Sequence, residues 1–168
     1  MSNWVRKYQA LYIAGAQRVG SLTEYTAPVL EVITEDFRSG GMDMATPMDM
    51  GMAPMAASFT ISEDPVVLGM FGLKVVNQMV PLFIRSHLED EESGETKQVI
   101  ETLRGIITKI DPGTKSAGAH QATTVEIKLS YYANLVGKVL IHEIDPKNMI
   151  RRINGIDQLA EARSSLGM

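Results

Sequence analysis

No cysteine occurs anywhere in the 168 residues. That absence excludes a disulfide framework and cysteine-based zinc sites, and it leaves the chain able to assemble in a reducing compartment. Long apolar runs are missing too. The longest, residues 65–73, falls far short of the roughly twenty residues a membrane-spanning helix needs, so no membrane role is expected. Positive charge is not in excess: 16 Lys and Arg stand against 20 Asp and Glu, a net charge of −4. A protein that reads nucleic-acid sequence normally carries a basic patch, and Arg151-Arg152 is too small a cluster to supply one. An export leader is not expected either. Arg6 and Lys7 precede a short apolar run at 10–16, and Ala14-Gly15-Ala16 imitates a cleavage site, but Tyr8-Gln9 interrupts the start of the run.

Catalytic signatures are as sparse. His87, His120 and His142 fall in separate elements and share no metal-ligand spacing; the first and third read as strand-face residues, the second as a solvated loop residue. Gly113-Thr114-Lys115-Ser116 imitates the end of a phosphate loop, but Thr108 stands where the upstream glycine belongs. There is no Gly-x-Ser-x-Gly and no His-Glu-x-x-His. The run Glu89-Asp90-Glu91-Glu92, with Glu95 and Glu101 nearby, reads as a solvated hairpin tip; acid–base catalysis and the lining of a channel are its alternatives. No catalytic residue, cofactor or metal ligand is nominated, and a hydrolase is the weakest functional reading.

What the chain does contain is β-structure. Its 45% hydrophobic content suffices to bury a core, and 168 residues make one domain. Short β-prone runs at 8–14, 19–25 and 29–37 are punctuated by Gly15, Gly20 and Pro28, and a further strand is expected at 55–62. Asp64-Pro65 reads as a helix cap followed by proline at the first helical position, opening a short, buried helix at 66–71 that stops at Gly72. Residues 80–91 and 95–110 form a hairpin. The second arm alternates poorly, with Ile100, Leu103, Ile106 and Ile107 falling on both faces. A strand apolar on both faces is usually covered on both, and in an assembly a neighbouring copy can be the second cover. The cleanest strand is 123–133, where Val125, Ile127, Leu129 and Tyr131 alternate with Thr124, Glu126, Lys128 and Ser130. Residues 138–144 complete another hairpin. The expected fold is mainly β, a barrel or sandwich of about seven to eight strands with one buried short helix and a C-terminal helix.

Six of the eleven methionines, Met42, Met44, Met48, Met50, Met52 and Met55, crowd into one short stretch, with Asp43 and Asp49 between members. Thioethers suit Cu(I), but no histidine or cysteine lies near. Core filling is a second reading. A third is an adaptable apolar contact surface, since methionine is unbranched and packs into irregular gaps. Gly40-Gly41 and Gly51 would hinge such an extended loop, at about 38–56, out of the barrel.

The chain closes with Glu143-Ile144-Asp145-Pro146, then Ile153-Asn154-Gly155-Ile156-Asp157-Gln158-Leu159, then Leu166-Gly167. Asp157 is a good helix cap, Leu159, Ala162 and Leu166 share one face, and Gly167 sits where a left-handed C-terminal residue belongs. This order resembles the tail tube proteins of contractile-tailed bacteriophages and R-type pyocins. The resemblance continues at Glu35 through Asp43, Met48 through Met52, Gly94-Glu95-Thr96, Thr102-Leu103-Arg104-Gly105, Lys109 through Gly113 and Ser130-Tyr131-Tyr132. It runs from about Val29 to the end and is looser before that.

The resemblance implies a structural virion protein, not an enzyme. Six subunits would contribute strands to one large closed barrel, and the rings would stack into the inner tube of a contractile tail. Closure would satisfy the exposed strand edges, and about two dozen strands would leave room for a DNA duplex. The tube would be laid down around a tape-measure protein in the host cytoplasm, between baseplate and tail terminator, and be gripped by a sheath. Met42, Met44, Met48, Met50, Met52, Met55, Ile100 and Ile106 become candidates for the subunit and ring interface. Glu126, Lys128 and Ser130 become candidates for a neutral or acidic lumen wall that double-stranded DNA slides past, since DNA carries roughly one negative charge per 1.7 Å of axis. The tube of a phage-derived bacteriocin or related contractile injection system is the alternative. A small-ligand-binding β-barrel is the second.

Overall fold

The computed structural model describes residues 2–13, 16–18, 22–72 and 81–168. The strands are β1 (Trp4–Ile13), β2 (Ala16–Arg18), β3 (Leu22–Thr26), β4 (Val32–Phe37), β5 (Thr46–Met52), β6 (Met55–Ile61), β7 (Leu82–Asp90), β8 (Thr96–Asp111), β9 (Thr123–Val136), β10 (Val139–Asp145), β11 (Ile150–Ile153) and β12 (Ile156–Asp157). Two short helices are α1 (Pro65–Leu68) and α2 (Ala160–Ser165). The mainly β class is as expected. The described residues form twelve strands where seven or eight were counted. The methionine stretch is itself a hairpin, and the linker expected after Pro146 pairs as β11 and β12. The start of the expected 80–91 strand and parts of the expected 8–14 and 19–25 strands lie outside the described residues.

Strands β3, β6, β9, β8, β7 and β1 follow one another around an antiparallel wall. Its two ends, β1 and β3, are brought together by the Gln9 side-chain amide, which donates to the Thr23 carbonyl at 3.2 Å. Phe59, Leu11, Ile13, Ile61, Leu82, Ile84, Leu103, Val125 and Ile127 fill the interior. α1 covers it with Val67, which is fully buried. Asp64 caps α1 by accepting from the Val66 amide, as the sequence predicts, but the helix ends at Gly69 and not Gly72. Val66, Leu68 and Phe71 stay exposed, so only one side of this helix is buried.

β8 and β9 make the wall bend. β8 pairs along β9, whose other edge is shared: residues 123–129 pair with β6, and 132–136 with β10. The register slips at Arg104/Gly105, where a β-bulge adds twist. A Cβ on Gly105 would stand 2.0 Å from the Lys128 carbonyl oxygen, so only glycine lets the two backbones approach this closely. The extra residue of this slip is Ser130 in β9, and a second slip leaves Thr108 unpaired in β8. Between 99 and 107 β8 itself alternates regularly, with Leu103 and Ile107 facing the core and Ile100 and Ile106 the other side, so the strand is apolar on both faces. Beyond β9, β10, β11 and β12 extend the sheet as a small platform that carries α2.

Candidate assembly surface

β4 and β5 form a two-stranded sheet that pairs with no strand of the main wall among the described residues. Its register sets Glu35 opposite Met48 and Phe37 opposite Thr46, with Thr34 opposite Asp49. Directly opposed residues share a face, and the pleat alternates. One face therefore carries the apolar Ile33, Phe37, Met48 and Met50, with Glu35 and Thr46 among them. All four are large, apolar and 44–53% exposed. The other face carries Thr34, Asp36 and Asp49 along its shaft, with Pro47 beside Asp36 and Val32 and Met52 toward the root. Between the strands, Met50 and Gly51 together oppose Ile33 in a bulge, and Gly51 takes the φ of 105° that the bulge asks for.

The six nominated methionines separate by position. Met48 and Met50 lie on the exposed apolar face and Met44 at the tip is 74% exposed. Met42 is half-buried, its sulfur accepting from the Ser39 amide. Met52 packs at the root against the core. Met55 begins β6 and is buried in the barrel, so within the subunit it is core filler and not part of the hairpin's outer face. Ile33 and Phe37 were not nominated. Their even spacing across Glu35 was the available signal.

The hairpin is tied to the platform by one carboxylate. Asp49 takes a forked contact from Arg151, with Oδ2 2.5 Å and Oδ1 3.4 Å from the guanidinium. Asp49 Oδ1 also accepts from the Gly51 amide at 2.8 Å. The Arg151 guanidinium, followed by the Gly51 N–H, holds the Asp49 carboxyl below the ordinary carboxylate range. Arg152 points to the opposite face, where it pairs with Glu143, and Tyr131 donates to that same Glu143. Both arginines of the small basic cluster are thus occupied by acids of this chain.

The expected cap of the last helix is reached differently. Asp157 accepts from the Leu159 amide at 3.0 Å and pairs with Arg163, but the helix starts at Ala160. Arg163 also donates to the Met149 carbonyl at 2.8 Å, fastening α2 to the β10–β11 turn. Gly167 adopts the expected left-handed φ, 73°. Leu166 is 65% exposed, so the helix's apolar face is uncovered within the subunit.

The outward face of the main sheet holds the other nominated residues. Ile100 and Ile106 are half-buried there. Glu126 lies opposite Lys109, and Lys128 opposite Ile106. The Ser130 hydroxyl donates to the Arg104 carbonyl at 3.4 Å. Arg104 and Arg85 stand over the rings of Tyr131 and Tyr12, 4.8 and 4.4 Å from their centres. The face is mixed in charge.

Inside the barrel the sequence reading needs correction at two acids. Glu101 is 3% exposed, not a tip residue. Tyr132 and Tyr25 donate to its Oε1 at 2.7 and 3.3 Å, and Arg6 is 3.9 Å from Oε2. Burial and the Glu101 charge push both tyrosine hydroxyls well above 10.0. Asp90 is 5% exposed and organises the β7–β8 turn, accepting from the amides of Asn3 and Glu92 and from the Ser93 hydroxyl. His142 faces the same interior, lining a cavity of about 530 Å³ with Arg6, Tyr25, Glu101, Tyr132 and Asn134. His120 meets Ser62, and His87 stands beside Tyr8, so the three histidines stay apart. Among the described residues no group of three or more His, Cys, Asp or Glu could hold a metal ion.

The profile of the family described as phage tail tube protein FII matches residues 7–167. The chain belongs to that family. It is 28% identical to the tail tube protein of Escherichia phage P2 over 167 residues, 96% of each chain. It is 32% identical to the major tail tube protein of Serratia phage KSP20 over 145 residues, 86% of this chain and 84% of that one. The fold is shared with a protein of the sheath–tube complex of PVC, an extracellular contractile injection system, at a TM-score of 0.56 and 9% identity over 75% of this chain and 86% of the other. The tube-terminating cap of the anti-feeding prophage also matches, at a TM-score of 0.53 and 12% identity over 72% and 83%. In this member of the family, the hairpin face stays exposed in the single chain.

Proposed function

We propose that this chain forms hexameric rings that stack into the inner tube of a contractile phage tail, a conduit through which double-stranded DNA leaves the virion. The observation that carries the reading is the uncovered face of the β4–β5 hairpin. A lone two-stranded hairpin is marginal in water, and four large exposed apolar side chains on one face, with Glu35 and Thr46 among them, mark a contact surface. In a tube protein the natural cover is another copy. Met42, Met44, Met48, Met50 and Met52, with Ile33 and Phe37, make that contact, and Ile100 and Ile106 are covered where neighbouring sheets meet. Glu126, Lys128 and Ser130 line the lumen. The pairing of Glu126 with Lys109 supports a near-neutral wall, along which DNA is not trapped by release of counterions.

The partners follow from the relatives. The PVC neighbour comes from a sheath–tube complex and the anti-feeding prophage neighbour is a tube-terminating cap. An outer sheath and a terminator are the corresponding partners here; a baseplate, a tape-measure protein and assembly in the host cytoplasm complete the proposal from the family resemblance alone. A genome-free bacteriocin or injection particle uses the same tube, and capsid and terminase genes beside this one would select the phage. A small-ligand barrel would have only the cavity of about 530 Å³ beside Glu101, since Phe59, Leu103 and the other core side chains fill the rest, and it leaves the exposed hairpin face without a role. No enzymatic role is proposed.

Negative-stain microscopy of the purified protein tests the reading. Hollow tubes of stacked rings are the expected result. A protein that stays monomeric at all concentrations, with or without baseplate extract, overturns it.

A further inference from the structure

We infer that Asp49 and Arg151 are a positioning pair that aims the methionine hairpin. The inference rests on the assembly reading above. The hairpin shares no backbone ladder with the wall among the described residues, and at its root only Leu30 and Met52 pack on the core. The forked contact between two residues 102 positions apart is what joins its shaft to the platform. Asp49 lies on the face with Thr34 and Asp36. Drawing that face onto Arg151 turns the opposite one, with Ile33, Phe37, Met48 and Met50, away from the body.

Both partners are built for the task. Arg151 is only 15% exposed. Its strand pairs with β10 at Ile144, and its carbonyl accepts from the Gln158 amide at 2.8 Å, so the guanidinium projects from a fixed base. A planar fork fixes direction as well as distance, which a lysine ammonium does not. The other end of the contact controls the bend, because the same Asp49 carboxylate holds the Gly51 amide at the bulge. Cavities of about 630 and 290 Å³ flank the root, and both are lined by Asp49, Met52 and Arg151. The hairpin therefore has room to swing once the pair is lost.

The test compares Asp49→Asn, Arg151→Gln, Arg151→Lys and the double Asp49→Asn/Arg151→Gln. Asparagine keeps an oxygen for the Gly51 amide and removes only the charge. Hydrogen exchange of the hairpin amides is followed in subunits below the polymerising concentration, and tube formation by microscopy above it. Each single variant should exchange about two- to fivefold faster in the hairpin, the scale set by a partly exposed ion pair, with barrel strands unchanged. Arg151→Lys should fall between wild type and Arg151→Gln. The double should be no worse than either single, the signature of a shared interaction. Tube growth should slow in the same order. Unchanged hairpin exchange, additive singles, or wild-type growth despite loosened hairpins would each overturn the inference. Absence of tubes from the wild-type protein would instead overturn the assembly reading, and the exchange comparison would still decide whether the pair orders the hairpin.

Discussion

The barrel and the methionine hairpin are both antiparallel β-structure, yet they meet the same demand in opposite ways. In the barrel, β6 alternates Met55, Ala57, Phe59 and Ile61 inward, each no more than 5% exposed. In the hairpin, every residue of β4 is exposed, including Val32, Ile33 and Phe37. The barrel buries its apolar face within one chain. The hairpin keeps its own in water and is held by an ion pair and a short root. Apolar alternation thus says that a strand has a face to cover and is silent on whose chain covers it. The barrel is covered within one subunit, and the hairpin face is what the proposed assembly would cover.

Breaking the barrel should give the largest effect. Phe59→Ala empties a site that is 1% exposed and should cost about 3–5 kcal/mol in urea unfolding, followed by the fluorescence of Trp4, the single tryptophan. Gly105→Ala should be comparably severe, because the new Cβ meets the backbone of Lys128 and not a yielding side chain. Glu101→Ala comes next, at about 2–4 kcal/mol, since it strips two tyrosine hydroxyls of their acceptor and leaves Arg6 without its acid. A loss below about 0.5 kcal/mol at Phe59 would mean that the barrel does not hold the subunit together.

The two regions should also fail at opposite ends of the pH scale. Asp49 and Asp157 titrate below their ordinary 3.8 because Arg151 and Arg163 stabilise the carboxylates. Their contribution is therefore present above that value and is lost as pH falls through the lower folded-state values. Tyr25 and Tyr132 titrate above their ordinary 10.0, chiefly through burial. Their contribution is complete below that value and is lost as pH rises beyond it, because the unfolded tyrosines ionise first. As pH falls below 3.8, hydrogen exchange should show the hairpin and α2 loosening before the strands around Glu101. At high pH the barrel should unfold with the hydroxyls of Tyr25 and Tyr132 still protonated. Simultaneous loosening of both regions in acid would erase the distinction.

Much of this contrast was legible in the residues. The alternation of 123–129, the cap at Asp64-Pro65 and the crowding of methionines each encode local structure, and local signals survive translation into a fold. Past the bulge at Ser130 the phase reverses, so Tyr132 and not the expected Tyr131 enters the core. Bulges are another matter. The slip opposite Gly105 leaves Ser130 as an extra residue in β9 and shifts that strand's phase beyond it, and a lone glycine does not say that a backbone will come this close. Glu101 was hidden because burial of a carboxylate depends on Tyr25, Tyr132 and Arg6, which the chain delivers from three other strands. Asp49 and Arg151 were read separately for the same reason. Met55 looked like its methionine neighbours, and only the start of β6 moves it from surface to core.

Removing the hairpin's apolar surface should have the smallest effect on the subunit, and that is its value. Met44, Met48 and Met50 touch water in the single chain, at 74%, 44% and 53% exposure. Replacing all three by serine removes little burial within the subunit, so each change should shift unfolding by less than about 0.5 kcal/mol. If a neighbouring copy covers them, each loses contacts and desolvation that exist only in the tube, and the loss recurs in every copy of every ring. The variant should fold with wild-type cooperativity and form no tubes, or short ones only. A variant that assembles normally would show the exposed face to be incidental. One that unfolds early would place these methionines in the subunit's own core. Tube loss with an intact barrel separates the two regions cleanly, because the free subunit leaves this surface in solvent.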